Sequence, residues 1–236
     1  MIKQLLSYFL PIKIYETPST VSSNLEVTWN NGKLVLDSKH TNYSYGSLEK
    51  VLKKGFQQIG YTTITEMKSI LLLGVAGGSA IKTLVEEIKY VGIIIGVEID
   101  AEVIKIANTY FGLNQYKNIN IVIDDAQKYV EKYNEKYNLI IIDIFEDSNM
   151  PDFLFEEKFI NNIKKSLEIN GYILFNFMIL NDYEKKFTAF KSKFNNSEFK
   201  VMNLVNVEEF NQLLIIQKII WIFSIGNKLE PQESLK

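Results

Sequence analysis

The sequence predicts an α/β protein with a seven-stranded, mostly parallel sheet, helices on both faces, and a small N-terminal β-hairpin or mini-sheet. From residue 69 onward, continuous apolar runs alternate with amphipathic segments, which is the pattern of βαβ units joined by right-handed crossovers. Before residue 47 short β-like runs dominate, and Asn31-Gly32 between two of them is a strong hairpin signal. We expect an N-terminal β mini-domain over 1–46, a main domain over 47–228 and a polar tail over 229–236.

Composition and charge exclude several classes of protein. The 236 residues are 47% hydrophobic and 23% charged, which is enough apolar surface for a folded core and excludes a disordered chain. The net charge is −2 and every basic residue except the single histidine is lysine, so nucleic acid is not an expected partner and no arginine can bind phosphate in a bidentate manner. The absence of cysteine excludes disulfides and thiolate metal sites, and we expect no metal. No apolar stretch is long enough to span a bilayer, which predicts a soluble, cytoplasmic protein without membrane association.

The N-terminal part is predicted to contain three strands and a helix. PIKIY is one strand, and LEVTW and KLVLD form the hairpin around Asn31-Gly32. Residues 47–59 place their apolar side chains on one helical face.

The main repeat supplies the remaining elements. Strands are predicted at 69–74, 92–98, 119–123, 138–143 and 171–177, with two more near 199–205 and 212–217. Helices are predicted at 79–88 with Ser79 as a possible cap, after the cap Asp100, at 125–133, at 156–169 with a stop at Asn170-Gly171, and in a lysine-rich segment over 185–194.

The ends of four successive strands each carry a glycine turn or a carboxylate. In such sheets ligands bind beyond the carboxyl ends of the strands, where the strand order reverses. The candidate site residues are Gly74, Gly77 and Gly78 in the turn, then Glu98, Asp125 and Asp143. The turn can instead be a tight connection, and Asp100, Asp124 or Asp125 can be a helix cap. Glu98 and Asp143 are harder to explain in this way, because a charge directly after an apolar strand needs water or a partner. Together they predict a nucleoside site.

The pattern favours a cofactor without a pyrophosphate. Counting from Gly74, Ala76 and Ser79 occupy the later glycine positions of the dinucleotide fingerprint, and no P-loop is present. S-adenosylmethionine has ribose hydroxyls, an amino group and cationic centres, all of which suit carboxylates. A nicotinamide-linked oxidoreductase stays an alternative on the strength of Glu98.

Four motifs make the chain resemble the class I S-adenosylmethionine-dependent methyltransferases, and more closely their spermidine-synthase-like members. These motifs are LLLGVAGGSA (71–80), GVEIDAEVIKIANTYF (96–111), DDAQKYV (124–130) and LIIIDIFED (139–147). The resemblance extends over about residues 12 to 225 and implies a Rossmann-like fold. It implies S-adenosylmethionine, or its decarboxylated form, as cofactor.

The resemblance also implies roles for particular residues. Gly74 and Gly78 would pass close to the amino-acid end of the cofactor, Glu98 would hold the ribose hydroxyls, Asp125 would accept from the adenine amino group, Asp143 would be the catalytic aspartate and Tyr45 would line the acceptor pocket. The synthases carry an aspartate within the glycine turn, which favours the decarboxylated cofactor, whereas this chain has Gly77 there.

The expected function is transfer of a methyl or aminopropyl group to a small, amine-bearing acceptor, which can be a polyamine. A genuine spermidine or polyamine synthase (an aminopropyltransferase) and a non-catalytic nucleoside-binding protein are the alternatives. By analogy with the synthases, a homodimer is possible. The acidic segment 144–155 can act as a lid or be a solvated loop, and His40 is more typical of a surface loop than of a proton carrier.

Overall fold

The computed structural model describes residues 2–19, 21, 24–38, 42–44, 47–146, 149–178, 183–208 and 211–219. After the short helix α1 (Ile2–Leu6), a small antiparallel sheet has the strand order β1-β2-β3-β4. Its strands are β1 (Ile12–Thr17), β2 (Leu25–Asn30), β3 (Lys33–Ser38) and β4 (Asn42–Ser44). Asn31 and Gly32 connect β2 to β3 with positive φ angles of 49° and 75°, so the predicted hairpin is confirmed.

The main sheet has seven strands in the order β10-β11-β9-β8-β5-β6-β7. They are β5 (Ser69–Leu73), β6 (Ile93–Glu98), β7 (Ile119–Ile123), β8 (Tyr137–Ile142), β9 (Leu167–Met178), β10 (Phe199–Glu208) and β11 (Asn211–Lys218). The five strands from β5 to β9 pair in parallel, and β11 and β10 extend the sheet antiparallel. The predicted fold class is therefore confirmed.

Helices cover both faces of this sheet. They are α2 (Ser47–Ile59), α3 (Tyr61–Thr65), α4 (Ser79–Lys82), α5 (Ala101–Tyr110), α6 (Ala126–Lys132), α7 (Glu157–Lys165) and α8 (Tyr183–Ser192). Alternate side chains of β5 enter opposite cores: Ile70 and Leu72 pack with residues of α2 to α5, and Leu71 and Leu73 pack with residues of α6 to α8. This two-sided burial explains why β5 is apolar from Ile70 to Leu73.

A third, smaller core attaches the N-terminal sheet to α5. Leu25, Val27 and Leu36 pack against Val103 and Ile106 on the outer side of that helix. Helix α5 therefore lies between the two sheets and contributes to both cores.

The start of the second predicted helix differs from the expectation. The cap position is Gly78, with φ of 84°, and Ser79 is already the first residue of the helix. The glycine turn leads into the helix through a left-handed residue, a conformation that glycine adopts without strain. After Lys82 the helix widens into a π-helical turn over Thr83–Glu87.

The predicted stop at Asn170-Gly171 is wrong. Helix α7 ends at Lys165, and β9 begins at Leu167, so Asn170 and Gly171 lie inside a strand. Asn170 has a φ of 62°, and the pairing register of β8 with β9 shifts beside it, as at a bulge. Pairing of Leu167 with the first residue of β8 decides this, and the short apolar run here is equally compatible with a helix or a strand.

No helix in the described ranges is both long and apolar enough to cross a membrane.

Candidate active site

Backbone hydrogen bonds join the carboxyl ends of the central strands. The Asp143 N–H donates to the Leu73 carbonyl at 2.9 Å, and the Asp124 N–H donates to the Glu98 carbonyl at 3.0 Å. Strand β5 lies between β8 and β6, so the chain order reverses at this point of the sheet. The predicted site residues after four strands are thus brought to one edge, where α/β sheets bind ligands.

The glycine turn contacts the end of β8 through its backbone. Gly74 has a φ of 89°, and a Cβ atom on it would lie 2.1 Å from the Asp143 carbonyl oxygen. Ala76, with φ of 49°, and Gly78 are also left-handed, and Gly77 is buried. Only a residue without a side chain allows this approach of Gly74 to Asp143.

Glu98 holds the glycine turn in place. Its Oε2 accepts from the N–H groups of Val75 and Ala76, both at 3.0 Å, and its Oε1 accepts from the Asp100 N–H at 3.1 Å. The side chain is only 8% exposed, and burial raises its pKa while the three amides oppose that rise. A carboxylate oxygen has about two acceptor sites, so Oε1, which accepts one hydrogen bond within the described ranges, has capacity for a further donor.

Asp143 is a partly buried carboxyl group at the centre of this edge. Its Oδ1 accepts from Asn176 Nδ2 at 2.9 Å, and Asn176 Oδ1 accepts from Asn211 Nδ2 at 2.9 Å. Burial raises the pKa of Asp143 to about 6; the charge of Glu98 adds to the rise, and the Asn176 hydrogen bond opposes it. The sequence analysis missed both asparagines, although for Asn176 a polar residue inside the apolar run LFNF was an available signal.

Two of the acidic residues are helix caps. Asp100 Oδ1 accepts from the Glu102 N–H at 2.9 Å, and its Oδ2 accepts from the hydroxyl of Ser19 in the β1–β2 connection. Asp125 Oδ1 accepts from the Lys128 N–H at 3.0 Å. The capping alternative is therefore confirmed for both. Asp125 is half-buried, and its contact with an adenine amino group stays a prediction.

The segment after β8 is attached to α8. The Tyr183 hydroxyl accepts from the Met150 N–H at 3.1 Å and donates to the Met150 carbonyl at 3.3 Å. Lys186 pairs with Asp152 at 2.6 Å and lies over the ring of Phe155. These contacts connect the predicted lid segment to the body of the protein.

Two residues named in the sequence analysis, Tyr45 and His40, lie outside the described residues, and so does Asp147 of the acidic segment 144–155. In the part of the chain that the structure describes, no group of three or more His, Cys, Asp and Glu side chains could hold a metal ion. Acidic side chains follow β6, β7 and β8 at this edge, which suits a cationic ligand.

Comparison with known sequences finds similarity to one group of proteins, the spermine and spermidine synthases. A sequence profile described as "Spermine/spermidine synthase domain" matches residues 30–213. A polyamine aminopropyltransferase of Thermoplasma volcanium is 34% identical over 113 residues, which are 45% of this chain and 40% of that protein. The corresponding protein of Clostridium botulinum (strain Eklund 17B) is 25% identical over 173 residues, which are 70% of this chain and 58% of that protein. The chain thus spans about half the length of these curated relatives.

Comparison with solved structures shows the same fold. A probable spermidine synthase from Corynebacterium glutamicum superposes with a TM-score of 0.70 at 14% identity, covering 91% of this chain and 82% of that one. Spermidine synthase from Thermotoga maritima gives a TM-score of 0.67 at 16% identity, covering 88% and 72%. Human methyltransferase-like protein 13 in complex with SAH gives 0.62 at 19% identity, covering 77% and 86%.

Proposed function

The chain belongs to the spermine/spermidine synthase family, and on that premise we propose that it transfers an aminopropyl group from decarboxylated S-adenosylmethionine to a small amine. The observation that carries the proposal is the junction of Gly74, Glu98 and Asp143 at one edge of a parallel sheet. The similarity to polyamine aminopropyltransferases favours aminopropyl transfer over the methyl transfer with which the sequence analysis began. A polyamine or diamine is the proposed acceptor, because a cationic amine suits the acidic edge.

The residues present fit such a nucleoside cofactor. We propose that the free acceptor site of Glu98 Oε1 binds a ribose hydroxyl, that Asp125 accepts from the adenine amino group, and that the turn from Gly74 through Gly77 to Gly78 passes along the aliphatic end. The bound cofactor supplies a carbon bonded to a sulfonium, whose departure as a neutral thioether needs no general acid. The protein therefore contributes alignment more than acid catalysis.

Asp143 is the proposed catalytic group. The acceptor amine forms a bond to the carbon as the carbon–sulfur bond breaks, and the nitrogen then loses one proton. A carboxylate in the position of Asp143 orients the amine through a hydrogen bond and accepts that proton. Because burial raises its pKa to about 6, Asp143 is a stronger base than an exposed aspartate and is still ionised at neutral pH. Tyr45, outside the described residues, is proposed to line the acceptor pocket.

Methyl transfer from intact S-adenosylmethionine is the second candidate, and Gly77 favours it. The synthases that this chain resembles carry an aspartate in the glycine turn, where its charge would repel the carboxylate of the intact cofactor. Gly77 removes that repulsion. The two candidates therefore differ in which cofactor binds more tightly.

Calorimetric titration distinguishes them. The protein is titrated with decarboxylated S-adenosylmethionine, with S-adenosylmethionine and with 5′-methylthioadenosine, and turnover is followed by mass spectrometry over a panel of diamines. We expect tighter binding of the decarboxylated form and an aminopropylated amine as product. The variant Gly77→Asp should strengthen this preference about tenfold, the effect of one charge-assisted contact.

Other outcomes select other functions. Preference for intact S-adenosylmethionine with a methylated product replaces the proposal with the second candidate. Nucleoside binding without turnover of any amine indicates a non-catalytic binding protein, and binding of NAD alone indicates an oxidoreductase. The homodimer expected from the family is checked by the mass of the protein in solution.

A further inference from the structure

The interior of the main sheet contains two amides that the proposed reaction does not use. Asn176 lies between Phe175 and Phe177 in β9 and is 1% exposed, and Asn211 at the start of β11 is 7% exposed. An apolar residue at either position would avoid the cost of burying an amide, which is substantial unless the amide is hydrogen-bonded. A physical reason for two adjacent buried amides is therefore needed.

The strand pairing brings both amides into line with Asp143. Phe175 pairs with Ile142, the last residue of β8, so the next residues of the two segments, Asn176 and Asp143, lie beside each other. Asn176 pairs with Leu213, which puts Asn211, two residues away on β11, on the same face of the sheet. The result is one row of side chains, Asn211 to Asn176 to Asp143, with a hydrogen bond of 2.9 Å at each step.

The hydrogen bonds in this row all run in one direction, from Asn211 through Asn176 to Asp143. A carboxylate can only accept, so Asn176 must present its Nδ2 to Asp143. That leaves Asn176 Oδ1 pointing the other way, where it accepts from Asn211 Nδ2. Without Asn211, the amide of Asn176 could rotate and present its oxygen, which would pair with a protonated Asp143 instead.

We infer that Asn176 is a positioning residue that keeps Asp143 ionised with Oδ1 directed into the sheet, and that Asn211 sets the orientation of the Asn176 amide. The value of this for catalysis rests on the proposed function, in which Asp143 receives a proton from the acceptor amine. The second oxygen, Oδ2, is then left for that amine.

The groups around Asp143 have opposite effects on its ionisation. Burial and the charge of Glu98, on β6, both favour the protonated carboxyl. From β9 and β11 the facing groups are the neutral amides of Asn176 and Asn211, and from the turn after β5 it is the uncharged backbone of Gly74. The Asn176 hydrogen bond is thus the contact that favours the ionised form.

The test measures the ionisation of Asp143 directly, without substrate. Aspartate carrying an isotope-labelled carboxyl carbon is introduced, and the Asp143 resonance is identified by its loss in the variant Asp143→Asn. In Asn176→Leu the titration midpoint of Asp143 should rise by about 1 to 2 pH units, the effect of one hydrogen bond to a charged group. In Asn211→Leu the Asp143 midpoint should also rise, but by less. The Asn176 amide that donates to Asp143 remains, but no neighbour fixes its orientation.

The matched control is Asn203→Leu, on β10 of the same sheet. Asn203 donates to Gln212 at 3.3 Å and does not contact Asp143, so its replacement should leave the Asp143 midpoint unchanged. If Asn176→Leu does not fold, Asn176→Ala removes the same donor and carries the same expectation. An unchanged midpoint in the folded Asn176 variant, or an equal shift in Asn203→Leu, overturns the inference.

Activity provides the second measurement. If the protein is an aminopropyltransferase, the acid limb of kcat against pH should move upward in Asn176→Leu by the same amount as the midpoint. A shifted midpoint in a protein without turnover supports the inference and overturns the proposed function. Turnover of an amine together with an unshifted Asp143 midpoint in the Asn176 variant supports the proposed function and overturns the inference.

Discussion

Glu98 has a structural role in addition to the ribose contact proposed for it. A charged side chain directly after an apolar strand requires a partner, and the structure supplies three backbone amides, two of them from the glycine turn. Replacing this carboxylate would release the turn as well as any ribose contact. The side chain that the sequence marks as a binding residue is therefore also a structural one.

Asp143 is held in surroundings that disfavour its charge, and the variant Asp143→Asn should be more stable at neutral pH. The pKa is raised from 3.8 to about 6, so the folded protein binds more protons than the unfolded chain between these values. Stability is consequently lost as pH rises through this window, and above pH 6 the cost is roughly 3 kcal/mol, at about 1.4 kcal/mol per unit. The variant avoids that cost and should lose turnover.

Denaturant unfolding at several pH values measures this effect. The stability difference between Asp143→Asn and the wild type should be small near pH 4 and reach about 2 to 3 kcal/mol at pH 8. Asp152→Asn, at an exposed carboxylate, is the matched control and should show no such gain. A difference that does not grow with pH would contradict the raised pKa.

At the scale of elements, the glycine turn and strand β8 depend on each other. Gly74 combines a left-handed φ with a backbone contact to Asp143. The variant Gly74→Ala should therefore lower the free energy of unfolding by on the order of 3 kcal/mol or more. Backbone strain and the overlap of the new Cβ atom with a carbonyl oxygen both destabilise the folded state. The variant should also lose nucleoside binding, because the two strand ends must move apart.

Gly112→Ala is the control for this variant. Gly112 is also left-handed, with φ of 68°, but the nearest atom to its Cβ would be the flexible end of Gln115 at 3.2 Å. We expect a loss of only about 1 to 2 kcal/mol from the backbone conformation. Equal losses in the two variants, measured by denaturant unfolding, would show that the contact with Asp143 is unimportant.

At the scale of the whole molecule, helix α5 contributes to two cores. Two of its isoleucines each pack in a different one, so replacing them one at a time tests each core separately. Ile106 packs with the N-terminal sheet, and Ile104 packs with the main core. Ile106→Ala and Ile104→Ala should each cost about 2 to 5 kcal/mol. Hydrogen exchange should accelerate in β2 and β3 for the Ile106 variant and in β5 and β6 for the Ile104 variant. Acceleration of both sheets in both variants would show a single cooperative unit.

Much of this architecture could be predicted from local patterns. Each of the strands β5 to β8 contains an apolar run, and the hairpin depends on Asn31-Gly32, so periodicity and turn chemistry identify them. Glu98 and Asp143 are conspicuous because a charge follows each apolar run. The end of α7 was mispredicted because the choice between helix and strand at Leu167 depends on pairing with β8, a distant segment.

The order of residues along the chain specifies the alternation of elements, the acidic strand ends and the resemblance to a family, since each is encoded within a few neighbouring positions. The row of Asn211, Asn176 and Asp143 depends instead on the register in which separate strands pair. So do the attachment of Glu98 to the glycine turn and the raised pKa of Asp143, because burial and hydrogen-bond partners arise only when distant segments pack together.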